Sequence, residues 1–242
     1  VAKSLPDGYT LLMAFTSHVT NPSLYPKLSY DAVRDFAPVT LVATIPNMLV
    51  LHPSVVADSV PALVALTKKK QLSFASTGSG ASTHLAGVLF AHMTGAKLLH
   101  VPYKGAGPAI TGVLSAETDM MFATMVSILP QVRSGKLRAL AVTGSRRSAA
   151  APELPTISES GVPGYEANAW FATFAAAGTP AALIQRLNGD IVRIIKFPEV
   201  RARLAAQGAE ALTSTPEELG RYTREEMQRW QRVIRESGAR AD

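Results

Sequence analysis

The stretch Ser76-Thr77-Gly78-Ser79-Gly80-Ala81-Ser82-Thr83-His84 carries the densest chemistry in this chain. Glycines let a backbone approach a bound group closely, and the N–H groups that open a helix attract anions, more so beside hydroxyls. The stretch could hold a carboxylate or a phosphate; it reads equally as a plain Gly/Ser turn with a helix cap, and the residues alone leave both open. A second loop, Pro102-Tyr103-Lys104-Gly105-Ala106-Gly107-Pro108, has the same character, whereas Ala123-Thr124-Met125-Val126-Ser127 reads as an ordinary connection. His84 is either a ligand-facing donor or a core histidine capping a backbone group. Trp170-Phe171 is either a core aromatic pair or the wall of a cleft.

Signatures of catalysis fail where they are looked for. Position 77 is Thr, so no G-x-S-x-G frame surrounds Ser79 or Ser82. There is no phosphate-binding G-x-x-x-x-G-K-[ST], and the dinucleotide fingerprint breaks at Thr83 and at Ile110. His18, His52, His84, His92 and His100 show no metal-ligand spacing, and none sits next to a carboxylate that could orient it. Glu117 and Asp119 fall in the turn before a strand, away from the glycine loops, and read as solvated turn residues. The arginines of residues 221–235 are interleaved with glutamates at helical spacing, so they read as a solvated face rather than a nucleic-acid surface.

The elements that must position the glycine loops form a regular alternation. Strands are predicted at 72–75, 98–101, 120–123 and 137–143, and helices at 60–69 (capped by Asp58), 83–93, 108–114 and 128–133. Strands alternating with short helices argue for a parallel sheet covered on both faces, and such a sheet gathers all three loops at its carboxyl edge. Before this region lie strands at 9–15, 38–45 and 47–51, with Asn21-Pro22 and Tyr25-Pro26 as breaks. After it come an apolar run at 169–177 and helices at 180–196, 198–206 and 216–236. Thr215 and Glu218 frame a capping box on the last helix, whose expected apolar stripe is Leu219, Tyr222, Met227, Trp230 and Ile234.

Composition narrows the class further. With 47% hydrophobic residues and a mean hydropathy of +0.14, 242 residues can bury a core, and a net charge of +6 favours acidic partners. No apolar run is long enough to cross a bilayer. The absence of cysteine excludes disulfides, thiol nucleophiles and zinc–cysteine sites. The chain opens at Val1, which reads as a processed, trimmed or fragmentary start.

A resemblance gathers these fragments. Pro6-Asp7-Gly8-Tyr9-Thr10-Leu11-Leu12, Tyr30-Asp31-Ala32-Val33-Arg34-Asp35-Phe36-Ala37-Pro38-Val39, Ser79-Gly80 to His84-Leu85, Val101-Pro102-Tyr103-Lys104-Gly105 and Gly135-Lys136-Leu137-Arg138-Ala139-Leu140-Ala141-Val142-Thr143 resemble, in this order, the tripartite tricarboxylate transporter substrate-binding proteins, the TctC or Bug receptors. Leu154-Pro155-Thr156, Gly161-Val162-Pro163-Gly164 and Trp170 to Pro180 extend the likeness over the whole chain. It implies an α/β, type II periplasmic-binding-protein-like fold. Two α/β lobes, residues 1–50 with 170–242 and residues 51–169, would be joined by two extended crossings.

The resemblance also implies a longer segment before Pro6, so the first lobe is expected to be incomplete. The implied function is a periplasmic receptor that captures a small carboxylate in the interlobe cleft. It would need no cofactor, perform no catalysis, act as a monomer and pass its ligand to membrane permease subunits. Implied ligand contacts are Thr16, Ser17, Ser76, Gly80, Ser82, Thr83, His84, Tyr103, Gly105, Trp170 and Phe171. The alternatives are an enzyme on the same scaffold, or the effector-binding domain of a regulator, which would need a DNA-binding segment that these residues do not supply.

Overall fold

Asn47-Met48-Leu49-Val50-Leu51 is apolar at every position after the asparagine, a pattern suited to a strand covered on both faces. In the computed structural model, which describes residues 1–239, all five residues are buried and form β3 (Asn47–Leu51). The chain divides into two compact units, one made of Val1–Thr44 with Trp170–Ala239, the other of Ile45–Ala169.

In the first unit, β1 (Leu11–Phe15), α1 (Ser17–Leu24) and β2 (Phe36–Ile45) come from the start of the chain. Their sheet has the order β1-β8-β2-β9, with β8 (Ala169–Ala176) antiparallel to β1 and the two-residue β9 (Glu210–Ala211) antiparallel to β2. β1 stands at the edge and leaves Leu11, Met13 and Phe15 exposed. The Asn21-Pro22 pair does not break the chain as expected: α1 runs through Pro22. The proline forfeits one backbone bond, and burial of His18, Val19, Thr20 and Leu24, with α8 packed alongside, outweighs that loss. The break comes at Tyr25, whose extended backbone ends the helix.

The carboxyl-terminal half adds α6 (Ala181–Ile195), α7 (Pro198–Ala206) and α8 (Pro216–Ser237). Val39, Ala175 and Ile184 pack with Leu187 and Ile191 of α6. The capping box on α8 is present: Glu218 N donates to Thr215 Oγ1 at 3.1 Å, and Thr215 N donates to Glu218 Oε2 at 2.8 Å. The buried face of α8 is rotated from the expected stripe, because Thr223, Glu226 and Val233 are buried in place of Tyr222 and Met227. Glu226 can be buried because Trp230 Nε1 and Arg229 both donate to its carboxylate.

In the second unit the alternation appears as expected: α2 (Val60–Lys69), β4 (Leu72–Ser76), α3 (Ser82–Thr94), β5 (Leu98–Pro102), α4 (Ala106–Leu114), β6 (Met120–Thr124), α5 (Met125–Arg133) and β7 (Arg138–Val142). Gly95 closes α3 in the left-handed conformation at φ 69°. Three details differ. The sheet, ordered β5-β4-β6-β3-β7, is not wholly parallel, because β3 inserts antiparallel between β6 and β7; its uninterrupted apolar run suits a doubly covered interior position. Ser59, not Asp58, caps α2, its Oγ accepting from Ala62 N at 3.4 Å. Asp119 is not a solvated turn residue: its Oδ2 accepts from Ser73 N at 2.7 Å and from Ser73 Oγ at 2.8 Å, tying the start of β6 to β4.

Candidate functional site

Because β4, β5, β6 and β7 run in one direction, their carboxyl ends lie along one edge of the sheet, and the antiparallel β3 brings its first residue, Asn47, to the same edge opposite Thr124. α3 carries the chain from β4 outward to β5, and α4 carries it back across β4 to β6. The order of strands therefore reverses between β4 and β6. In open α/β sheets that switch point leaves a crevice between diverging connections, where ligands bind. Helices α3, α4 and α5 all begin at this edge, so the positive ends of three helix dipoles meet there.

The loop after β4 is held from inside. Thr83 Oγ1 accepts from Thr77 N at 3.0 Å and lies 3.0 Å from Thr77 Oγ1. Gly78 N donates to Ser76 Oγ at 3.2 Å, and Gly80 N donates to His84 Nδ1 at 3.1 Å. Gly78 and Gly80 adopt φ 136° and 83°, a region other residues enter only with strain, so this loop needs glycine at both positions. The β5–α4 loop is fastened to it, with Tyr103 N donating to Ser76 O and Gly105 N to Thr77 O. At the start of α5, Thr124 Oγ1 and Ser127 Oγ lie 2.9 Å apart.

His84 is buried, and its acceptor bond from Gly80 requires the neutral ring. Burial, assisted by the neighbouring His100, lowers its pKa to about 3. Ser76 Oγ lies 2.6 Å from His100 Nε2, which has the spacing of a nucleophile and its base. Ser76, however, is fully buried and its oxygen already accepts from Gly78, so the pair organises the loop and presents no nucleophile. No group of three or more His, Cys, Asp or Glu able to hold a metal occurs among the described residues.

The expected residues thus fall into two sets. Ser76, Gly80, Ser82, Thr83 and His84 share one loop and helix start, with Tyr103 and Gly105 on the adjoining loop. The Tyr103 ring turns away onto α4, where a Cβ on Gly112 would overlap its hydroxyl. That hydroxyl is buried without a hydrogen-bond partner among the described residues, and burial together with the nearby Glu117 carboxylate raises its pKa. Thr16, Ser17, Trp170 and Phe171 belong to the first unit, gathered where β1 and β8 pair Phe15 with Phe171. There Thr16 Oγ1 and Trp170 Nε1 are buried and lack a partner among the described residues. Trp170 is a core residue against Tyr222, with ring centroids 5.7 Å apart, while Phe171 is half-buried and meets Phe15 edge-on at 5.2 Å.

Sequence reasoning missed Asn47, Thr143 and Asn168. Asn47 N donates to Thr143 Oγ1 at 2.7 Å, Asn47 Nδ2 to Ala167 O at 2.9 Å, and Thr143 Oγ1 to Asn168 Oδ1 at 3.4 Å. Asn47 Oδ1 is buried with no partner among the described residues. The available signal was an asparagine opening an otherwise apolar strand directly after Pro46.

Comparison with known proteins matches residues 1–239 to the Tripartite tricarboxylate transporter family receptor. Protein BugT of Bordetella pertussis is 38% identical over 243 residues, covering 99% of this chain and 74% of that protein. Among solved structures, an R. palustris protein with adipate superposes with a TM-score of 0.92 at 32% identity, covering 99% of this chain and 81% of the other. MatC from Rhodopseudomonas palustris with bound malate gives a TM-score of 0.86 at 30% identity, covering 97% and 82%. The fold is that of a periplasmic binding protein.

Proposed function

This chain belongs to the tripartite tricarboxylate transporter receptor family, and from that premise we propose that it binds a small carboxylate reversibly, without chemistry, at the carboxyl edge of its second unit. One observation carries the reading: three helices begin along the carboxyl edge that holds the switch point, with the half-buried Ser82, Thr124 and Ser127 at the starts of two of them. Such an arrangement attracts a carboxylate through dipoles and neutral donors. The relatives solved with adipate and malate give the ligand class. The receptor acts in the periplasm as a monomer and hands its ligand to the membrane subunits of a tripartite transporter.

A hydrolase reading has less support: Ser76, beside His100, is buried with its oxygen engaged, and Ser54, 2.7 Å from His52 Nδ1, follows β3 at the edge opposite the carboxyl ends. The test is a thermal-shift and calorimetric screen with malate, adipate, phosphate and a neutral diamide. A carboxylate at 100 times its Kd stabilises by about 2.7 kcal/mol and is recovered unchanged. Stabilisation by the diamide alone, or turnover of the ligand, would overturn the proposal.

A further inference from the structure

We propose that the stacked pair His84 and His100 is a positioning device for the anion-binding loop: two imidazoles that touch no ligand hold Ser76 to Gly80 in the shape that receives one. The inference rests on reading that loop as the carboxylate site. The rings stack with centroids 3.9 Å apart and 18° between planes, and Phe74 lies against both, at 6.3 Å from His84 and 5.0 Å from His100. Each ring reaches one glycine of the loop. His84 Nδ1 accepts the Gly80 N–H directly. His100 Nε2 meets Ser76 Oγ, and that oxygen accepts the Gly78 N–H.

These two N–H groups belong to residues at φ 83° and 136°, backbone states that a glycine leaves easily when nothing fixes them. Pinning both turns a flexible turn into a preorganised one, so binding does not have to order the loop.

Histidine suits the position because the acceptor must be flat, buried and uncharged. A proton on His84 Nδ1 would remove the acceptor and set a cation beside His100. β4 faces the pair with Phe74 and Ser76, and β6 brings Phe122. Asp119 is engaged by Ser73 at the opposite end of β4. Lys104 on the β5–α4 loop and His92, two turns along α3, are exposed. Glu166 accepts from Asn168, and Tyr165 donates its hydroxyl to Ala86 O on α3. Burial therefore decides the state of His84, which stays neutral well below the ordinary histidine range.

The test compares ligand-free amide exchange at Gly78 and Gly80, read by NMR, with calorimetric affinity for malate and adipate. His84→Ala removes the acceptor; His84→Asn keeps an oxygen near the place of Nδ1 and cannot titrate. Loss of the bond should speed Gly80 exchange about tenfold and weaken binding about tenfold, with His84→Asn restoring most of both. His100→Leu against His100→Gln should do the same at Gly78. In the wild-type chain the Gly80 resonance should hold its position between about pH 8 and pH 5. Unchanged Gly80 exchange in His84→Ala, no rescue by His84→Asn, or a Gly80 midpoint inside that pH range would each overturn the proposal. If the wild type binds neither dicarboxylate, the carboxylate reading fails, while the exchange comparison still decides the positioning role.

Discussion

Acidification from pH 7 to pH 5 should weaken the second unit by about 2 kcal/mol through His84 alone. The sign follows from where each state takes its proton. The ordinary value is 6.5, and burial lowers the folded value to about 3. Below 6.5 the unfolded chain protonates at this position and the folded one does not. The stability contributed by the neutral ring is complete above 6.5, falls as the pH drops, and is exhausted near 3. At pH 5 the unfolded ring is almost fully charged and the folded ring almost fully neutral, so the loss follows from the unfolded value and the distance of pH 5 below it.

The assay is native-state hydrogen exchange of peptides from α3 and β4, which report opening of the second unit itself. Tryptophan fluorescence would not serve, since both Trp170 and Trp230 lie in the first unit, where the buried His18, also lowered by burial, adds a loss of the same sign. Comparing the wild type with His84→Asn at both pH values cancels the intrinsic cost of the substitution. If the two proteins lose the same stability between pH 7 and pH 5, His84 does not stay neutral in the folded state and the reasoning fails.

Two packing predictions accompany it. Gly87→Ala places a Cβ about 2.7 Å from Phe74 Cδ2 and Cζ and closer still to Cε2; since Phe74 is buried beneath α3, urea unfolding should show a loss of about 2–3 kcal/mol. Thr215→Ala removes the hydroxyl that caps Glu218 N at the start of α8, and should cost about 1 kcal/mol, read from the fluorescence of Trp230 on the same helix.

Much of the fold was legible because periodicity is a local property. The alternation from α2 to β7 needed only the spacing of apolar residues and the glycines that end helices, and Gly95 and Gly135 do adopt positive φ. What was not legible depends on partners distant in sequence. Nothing within Asn47 to Leu51 states that its neighbours are β6 and β7 rather than the strands next to it in the chain. The direction of Asp119 is set by Ser73, 46 positions away. Thr223, Glu226 and Val233 displace the expected stripe on α8 because Arg229 and Trp230 satisfy a glutamate that the pattern alone would have placed in water.

The candidate site shows the same division with a different outcome. The loop from Ser76 to His84 was visible because glycines and hydroxyls before a helix are a chemical signature in their own right. The device that shapes it was not visible, because His100 sits 24 residues from Ser76 and meets it only through the pairing of β4 with β5. The same geometry bears on how a basic protein would bind an acid. The cations at the carboxyl edge of the second unit are exposed ones, Lys104 on the loop after β5 and Arg146 and Arg147 after β7, the last paired with Glu159, and the histidine beneath the glycine loop is neutral. The charge can speed the approach of an anion over several ångströms, but it is screened by salt and holds nothing tightly. On the proposed reading, retention falls to helix starts and hydroxyls, which attract a carboxylate without a buried ion pair and so without the large cost of desolvating and then separating two charges. A receptor that must release its ligand as well as capture it is better served by that kind of site.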